Sequence, residues 1–385
     1  MKKRLLVLGS TGSVGRNVLD VVERHAEHFE IVGLSARANT GLLAEQCGAH
    51  PRAKFLAQDD ESHGRILREA PHLGPRAVEP GDGGFARLIE TTSPDLLVNC
   101  LVGFVGLKPT LAALQAGIPV ALANKESVVT GGEILLDASE ASGAPIIPID
   151  SEHVALSQCL AGAKVGDVKI AYLTASGGAL RDRAIEEIAQ ATIGDVLAHP
   201  TWRMGDKITV DSATLVNKGF EVIEAHWLFG LPFDRIKVVI HPQSIIHCLV
   251  EFKDNSIIAQ LGTPDMRLPI LYALTYPDRI ETDVARSRIT DFPGLTLREV
   301  DDERYPCLSL ALRAACAGGN APTVLNSANE AAVGAFLAGR IHFSQIYAVI
   351  AQTMGAIAQA AISSLDDVVD TDRRAREYIK SEFGF

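Results

Sequence analysis

The sequence describes an α/β protein with a Rossmann-type sheet at its amino end, a mixed α/β middle and a helical bundle at its carboxyl end. Two observations carry this. Over residues 1–149, short unbroken apolar runs alternate with helix-like segments, as expected of parallel strands buried on both faces. From Arg304 to the end the chain is rich in alanine and other helix formers. Residues 150–275 mix strand-like and helix-like stretches. Residues 276–303 are rich in Pro, Arg and Asp with little periodicity and read as a surface linker before a helical domain over 304–385.

Leu5–Leu8 reads as the first strand, Val14–Arg24 as a helix and Ile31–Leu34 as the second strand. Leu96–Val98, Pro119–Leu122 and Ile146–Ile149 continue the sheet. In the middle region, strands are expected over Lys169–Leu173, Ile236–Ile240 and Ile245–Phe252. The basic start Met1–Arg4 is followed by only four apolar residues before Gly9, short of the roughly 7–15 of a signal peptide's apolar core. The uncharged stretch between Arg340 and Asp366 contains Gln345, Gln352 and Gln359 and reads as core helix, not a membrane span.

At 47% hydrophobic and 22% charged residues, a wholly disordered chain is excluded. The net charge of −11 disfavours nucleic acid as the main partner, because phosphate backbones are repelled. Six scattered cysteines without a CxxC pair argue against a thiolate zinc site or a disulfide framework and fit a reduced, cytoplasmic setting.

The segment Gly9-Ser10-Thr11-Gly12-Ser13-Val14-Gly15 lies between the first strand and first helix. Its GxxGxxG spacing is a variant of the dinucleotide fingerprint, in which glycines allow a tight turn and a helix N-terminus faces the pyrophosphate. The second strand runs into Ser35-Ala36-Arg37-Ala38-Asn39. It offers no acid for a ribose diol, while Arg37 stands where a 2′-phosphate would lie, so NADP is expected over NAD.

Asp150-Ser151-Glu152 follows the last strand of the first region. Extended there, Asp150 and Glu152 would share a side, and a hard cation, Mg²⁺ or Mn²⁺, would relieve their repulsion. Alone such a pair is more often a solvated turn. A helix is expected over Asp211–Gly230, capped by Asp211 and ended by Gly230. It places Thr214, Asn217, Lys218 and Glu221 on one narrow face, with Gly219 among them, as if something approached closely there. Glu221 is then a candidate third metal ligand, and Ser212, Asn217 and Lys218 are candidate phosphate ligands.

Lys125, in Asn124-Lys125-Glu126, could neutralise a substrate oxygen. Ser176-Gly177-Gly178 reads as a flexible turn suited to an anion or to a plain loop. His199-Pro200-Thr201-Trp202-Arg203-Met204-Gly205 sets Trp and Met among polar residues and suits either a closing lid or a loop tucked into the core. His153, His241 and His247 are each, taken alone, more readily structural. There is no HExxH, GxSxG or Walker motif.

Together the stretches GSTGSVG (9–15), LANKES (122–127), PIDSEH (148–153), LTASGG (173–178), HPTWRMG (199–205), DSATLVNKGFE (211–221), HPQSIIH (241–247), GTPDMR (262–267), RYPCL (304–308) and LNSANE (325–330) closely resemble the 1-deoxy-D-xylulose 5-phosphate reductoisomerase family of non-mevalonate isoprenoid biosynthesis. The resemblance implies an NADPH- and divalent-metal-dependent enzyme that isomerises and reduces a small phosphorylated sugar, 1-deoxy-D-xylulose 5-phosphate, to 2-C-methyl-D-erythritol 4-phosphate. It implies a homodimer of subunits with a Rossmann-type NADPH domain (1–149), an α/β connective catalytic domain (150–275) with a lid near 176–206, and a C-terminal helical bundle.

By match to the family motifs, Thr11, Gly12, Ser13, Val14, Asn124, Glu126 and Gly205 would contact NADPH, with Arg37, Ala38 and Asn39 at its 2′-phosphate. Asp150, Glu152 and Glu221 would hold Mg²⁺ or Mn²⁺. Lys125, Ser151 and Glu152 would touch the substrate backbone. Ser176, His199, Ser212, Asn217 and Lys218 would surround its phosphate, with Trp202 and Met204 as the cover. Many relatives have Gly then Lys or Ser where this chain has Arg37-Ala38, which leaves the 2′-phosphate contacts open. Two rivals, an NADPH oxidoreductase acting on a simple aldehyde or alcohol and a non-catalytic NADPH sensor, explain the glycine turn but not the acidic trio.

Overall fold

The computed structural model describes every residue except Asp82 and Pro293. It divides into two compact units. The first comprises residues 1–124, 135–150 and 265–285, and the second 125–134, 151–264 and 286–385.

The first unit is built on six parallel strands: β1 (Lys3–Leu8), β2 (Phe29–Ala36), β3 (Lys54–Ala57), β4 (Leu96–Asn99), β5 (Val120–Leu122) and β6 (Ile146–Pro148). Their spatial order is β3-β2-β1-β4-β5-β6, the Rossmann order with its switch point between β1 and β4. The connecting helices are α1 (Ser13–Arg24), α2 (Thr40–Ala49), α3 (Asp60–Glu69), α4 (Gly84–Thr92), α5 (Leu107–Gln115) and α6 (Lys125–Ser142), the last non-helical at Gly131 (φ −132°, ψ 26°). Leu5 and Val7 of β1 pack with Val18, Val21 and Val22 of α1 and Leu43 of α2. On the opposite face, Leu6 and Leu88 of α4 close over Gly33, where a Cβ would lie 2.6 Å from Leu6 Cδ1. Both faces are therefore covered, which is why the strands read as unbroken apolar runs. β3 lies outside the strands expected from sequence.

The second unit begins with α7 (Ser151–Cys159) and β7 (Val168–Ala175), followed by α8 (Ile185–Ile188), α9 (Ile193–Leu197), α10 (Asp206–Thr214) and α11 (Val216–Phe229). Next come β8 (Ile236–Ile240), β9 (Ile246–Phe252) and β10 (Ile257–Leu261). After α12 (Arg267–Thr275), the chain continues through β11 (Arg298–Glu299) and the helices α13 (Pro306–Ala317), α14 (Ala321–Leu337), α15 (Gln345–Ala356) and α16 (Leu365–Phe383). Its sheet has the order β10-β9-β7-β8-β11, antiparallel except for β7–β8. No helix among the described residues is long and apolar enough to cross a membrane.

The compact units do not follow the boundaries read from sequence. α12 packs its Ile270, Leu271 and Leu274 into the core of the first unit. Arg267 ties it to α1 through Asp20 at 3.0 Å. The stretch read as a linker contributes β11, which pairs with β8.

Candidate active site

The glycine turn has the geometry its spacing suggested. Gly9 has φ +75°, and a Cβ on it would lie 2.6 Å from the carbonyl of Cys100. A Cβ on Gly15 would come 2.3 Å from the Gly9 carbonyl, so this glycine lets α1 pack against the turn. Gly12 caps α1 with no side-chain bond to the first-turn N–H groups and no acid in that turn. Thr11, Ser13 and Val14 are half-buried around it. An uncapped helix N-terminus of this kind suits a pyrophosphate. At the end of β2, Arg37, Ala38 and Asn39 are exposed. Asn39 already has a local task, since its side chain accepts from Leu42 N–H to cap α2. Asn124 is buried and donates to the carbonyls of Leu101 and Gly103, both at 2.9 Å.

The carboxylates expected to meet do so. Oxygen atoms of Asp150, Glu152 and Glu221 all lie within 4.8 Å of one another. The route differs from the one inferred. The chain is not extended through this stretch, because β6 ends at Pro148 and Glu152 sits in the first turn of α7. There the helix N-terminus favours negative charge. Nor is there one helix over 211–230. Leu215 adopts φ 57°, ending α10 and starting α11. Asp211 therefore lies inside α10 and is not a cap, and Thr214 leaves the shared face. Asn217, Lys218 and Glu221 remain together because all three lie on α11, and Gly230 ends it in the left-handed region as expected.

That face is not a solvated stripe. Lys218 is 3% exposed and Glu221 1%. Lys218 Nζ donates to Glu152 Oε1 at 2.7 Å and to Glu221 Oε2. Lys125 Nζ donates to Asn217 Oδ1 at 2.7 Å and Glu221 Oε1 at 3.2 Å. Asn217 Nδ2 donates to Glu221 Oε1 and Ser151 Oγ to Glu152 Oε2, both at 2.5 Å. His153 sits 2.9 Å from the Glu221 carbonyl through Nε2 and stacks on Phe229. Gly219 answers to packing instead of a ligand: a Cβ there would lie 2.2 Å from the Cβ of Ala311 on α13.

Ser176, His199 and Ser212 also lie in the second unit. Ser176 Oγ is 2.9 Å from His199 Nε2. His199 Nδ1 accepts from the N–H groups of Thr201 (3.1 Å) and Trp202 (2.9 Å). With Nδ1 accepting twice, the proton belongs on Nε2 and faces Ser176. Burial, helped by the charge of Arg181, lowers the His199 pKa to about 4, so the ring is neutral at pH 7.

Gly177 and Gly178 form no flexible loop. Both are buried with φ of +85° and +71°, and a Cβ on Gly178 would come 2.6 Å from Ala213 Cα on α10. Arg181 donates to the Ser176 carbonyl and Tyr305 to that of Gly177. The half-buried Trp202 ring lies 6.3 Å from that of His247. Met204 is also half-buried, and Gly205 is exposed at the start of α10. His241 is structural, accepting through Nε2 from Ile245 and Ile246 N–H.

Lys207 lies outside the residues expected from sequence; its Nζ is 2.5 Å from Glu126 Oε1 and 3.0 Å from Asp211 Oδ2. Its i,i+4 spacing to Asp211 was a visible signal, but its reach to Glu126 was not.

Family models cover most of the chain. One described as 1-deoxy-D-xylulose 5-phosphate reductoisomerase matches residues 5–132, its C-terminal domain matches 146–229, and a DXP reductoisomerase C-terminal domain matches 261–378. A 1-deoxy-D-xylulose 5-phosphate reductoisomerase of Gloeobacter violaceus is 47% identical over 380 residues, covering 98% of this chain and 97% of the relative. That of Chloroherpeton thalassium is 47% identical over 379 residues, with 98% and 97% covered. A crystal structure of DOX-P reductoisomerase in complex with NADPH, fosmidomycin and magnesium aligns with a TM-score of 0.92 at 35% identity, covering 99% of this chain and 98% of the other. The Zymomonas mobilis enzyme in complex with NADPH aligns with a TM-score of 0.90 at 36% identity, covering 99% of each. On identity sustained over nearly its whole length, the chain belongs to the 1-deoxy-D-xylulose 5-phosphate reductoisomerase family.

Proposed function

We propose that this protein converts 1-deoxy-D-xylulose 5-phosphate to 2-C-methyl-D-erythritol 4-phosphate in non-mevalonate isoprenoid biosynthesis, using NADPH and Mg²⁺ or Mn²⁺. The observation that carries this is the meeting of Asp150, Glu152 and Glu221 beside two lysines. An all-oxygen donor set fits a hard divalent cation better than zinc. When bound, the ion would supply charge stabilisation at the ketone and its neighbouring hydroxyl, and NADPH the hydride.

The chain's own groups do the rest. Glu152, Ser151 and Lys125 orient the sugar backbone. The Lys125 ammonium, fixed by Asn217 and Glu221, offers donors to oxygens that gain negative charge. Ser176, His199, Ser212, Asn217 and Lys218 bind the phosphate end. His199 does so as a neutral Nε2–H donor, its other nitrogen held by the lid backbone. Trp202 and Met204 cover the site and exclude water, with phosphate binding energy driving closure. Thr11, Gly12, Ser13, Val14, Asn124, Glu126 and Gly205 contact the cofactor, and Arg37, with Ala38 and Asn39, selects the 2′-phosphate.

We place the protein in the cytoplasm, where its six unpaired cysteines would stay reduced. We assign it a homodimer, because the edge strand β10 exposes Ile257 and Ile258 and an open apolar edge favours pairing with a second copy. Domain limits of 1–149, 150–275 and 304–385 are retained as functional divisions. The test is anaerobic mixing of protein, NADPH, Mg²⁺ and the sugar phosphate while following the nicotinamide absorbance. Oxidation that persists with the metal or sugar omitted, or turnover by Glu152→Gln near the parent rate, would refute the assignment.

A further inference from the structure

The motif Leu325-Asn326-Ser327-Ala328-Asn329-Glu330 plays no part in the chemistry above, yet Leu325 to Asn329 are buried. Its polar side chains are bonded to specific partners. Asn329 Nδ2 donates to Asp211 Oδ1 at 2.8 Å, Ser327 Oγ to Asp372 Oδ1 at 2.6 Å and Asn326 Nδ2 to Glu330 Oε1 at 3.0 Å. Arg376 Nη2 reaches Glu330 Oε2 at 2.7 Å. These bonds fix α14 and, through Asn329, the Asp211 carboxylate of α10.

The other Asp211 oxygen holds Lys207. Its ammonium is 3.0 Å from Asp211 Oδ2, 2.5 Å from Glu126 Oε1 and 5.4 Å from the centre of the Phe220 ring. Burial alone would lower the Lys207 pKa, but Asp211, Glu126 and Glu330 outweigh it and raise it, so the group stays charged. Glu126 is likewise held below the usual carboxylate range, burial being outweighed chiefly by Lys207. A flexible four-carbon stem is thus pinned from both ends. Lys207 stands two residues after Gly205, in the first turn of α10, and Glu126 lies in the first turn of α6. Those are the two second-unit residues assigned above to the cofactor.

We propose that Lys207 is a positioning residue for NADPH, fixing the Glu126 carboxylate and the lid's exit at Gly205 in one geometry, with the Asp211–Asn329 pair holding Lys207 in place. This rests on the assignment of Glu126 and Gly205 to the cofactor. A purely structural role for Lys207, compensating buried charge, would affect folding but not favour one substrate over the other.

The test is steady-state kinetics of the full-length enzyme with NADPH and the sugar phosphate varied separately, alongside melting curves. Lys207→Met should raise the KM for NADPH about tenfold, and Asp211→Asn and Asn329→Leu about threefold, with the KM for the sugar phosphate within about twofold; Lys207→Arg should recover part of the loss. Asp211→Asn and Asn329→Leu keep the lysine and carry the test where Lys207→Met does not fold. If all variants lower the melting temperature yet leave the KM for NADPH unchanged, while Glu126→Gln raises it, the proposal is overturned. If Glu126→Gln also leaves it unchanged, the cofactor assignment of Glu126 falls, and the proposal with it.

Discussion

Replacing Glu221 by Gln preserves the shape of the side chain and removes one charge from the centre of the carboxylate cluster. The group is 1% exposed. Its carboxylate accepts from Lys125, Asn217 and Lys218, so each of these bonds is charge-assisted, and the two from lysine are also ion pairs. Each such bond contributes about 1.5–3 kcal/mol. The amide carbonyl keeps part of this, Lys218 retains Glu152, and Lys125 retains Asn217. The net loss of stability should be about 2 kcal/mol, a shift of only about 2–3 °C in melting temperature for a chain of this size. The protein should therefore still fold. Turnover should fall much further: if Glu221 is one of three metal ligands, as proposed, its loss forfeits about 4 kcal/mol of charge stabilisation, or about 10³-fold in kcat. The assay is NADPH oxidation with the sugar phosphate over a Mg²⁺ titration, with circular dichroism to confirm folding. A folded variant whose kcat at saturating Mg²⁺ stays within tenfold of the parent would show that Glu221 holds no metal.

His199 predicts an acid-side loss of stability. With its folded pKa lowered to about 4 and an unfolded value of about 6.5, the unfolded state binds the extra proton between those values, so stability falls as pH drops through that window. His199→Asn should shrink the loss seen by urea melts between pH 7 and pH 5, and an unaltered loss would refute the burial argument. Gly219→Ala places a Cβ 2.2 Å from that of Ala311 and should cost about 1–3 kcal/mol in denaturant melts. Adding Ala311→Gly should restore most of that, and additive losses in the double variant would contradict a direct clash. Arg37→Glu should lower the preference for NADPH over NADH about tenfold or more, worth about 1.4 kcal/mol. An unchanged ratio of kcat/KM values would remove Arg37 from the 2′-phosphate.

What was legible in the sequence follows from which forces act locally. Apolar runs such as Leu5–Leu8 are strands in any context that buries both faces, and the glycine turn needs its residues for reasons of backbone space alone. β3, only four residues long, carries too little pattern to stand out. The break at Leu215 has no local signature, because a leucine with φ 57° is imposed by its surroundings. The stripe Asn217–Lys218–Glu221 survived because it lies wholly on one side of that break. Glu152 comes near Asp150 from a helix N-terminus and not from an extended segment, and either geometry brings the two together. Gly219 does mark a close approach, but one sequence cannot distinguish a glycine that admits a ligand from one that admits a neighbouring helix, here α13. Lys207 was not visible as an anchor because the second of its carboxylate partners, Glu126, lies 81 residues away.

The pairing of lysines with carboxylates bears on how one small region could serve both a cation and a phosphate, as proposed above. Asp150, Glu152 and Glu221 against Lys125 and Lys218 leave one net negative charge, and the neutral His199 adds none at pH 7. Such a cluster attracts a divalent cation and repels a phosphate of charge about −1.5 to −2. Two added positive charges reverse the sign, and the same groups then favour the phosphate. In the proposed roles, the lysines compensate the carboxylates in one state and would face the substrate in the other. Glu221→Gln removes a negative charge, so it should weaken the cation's hold without weakening that of the phosphate end. A KM for the sugar phosphate that stays level while kcat collapses is therefore what separates loss of the metal ligand from general damage to the site. The reverse pattern, a raised KM with kcat intact, would mean that Glu221 serves chiefly to hold Lys218 and Asn217 for the phosphate.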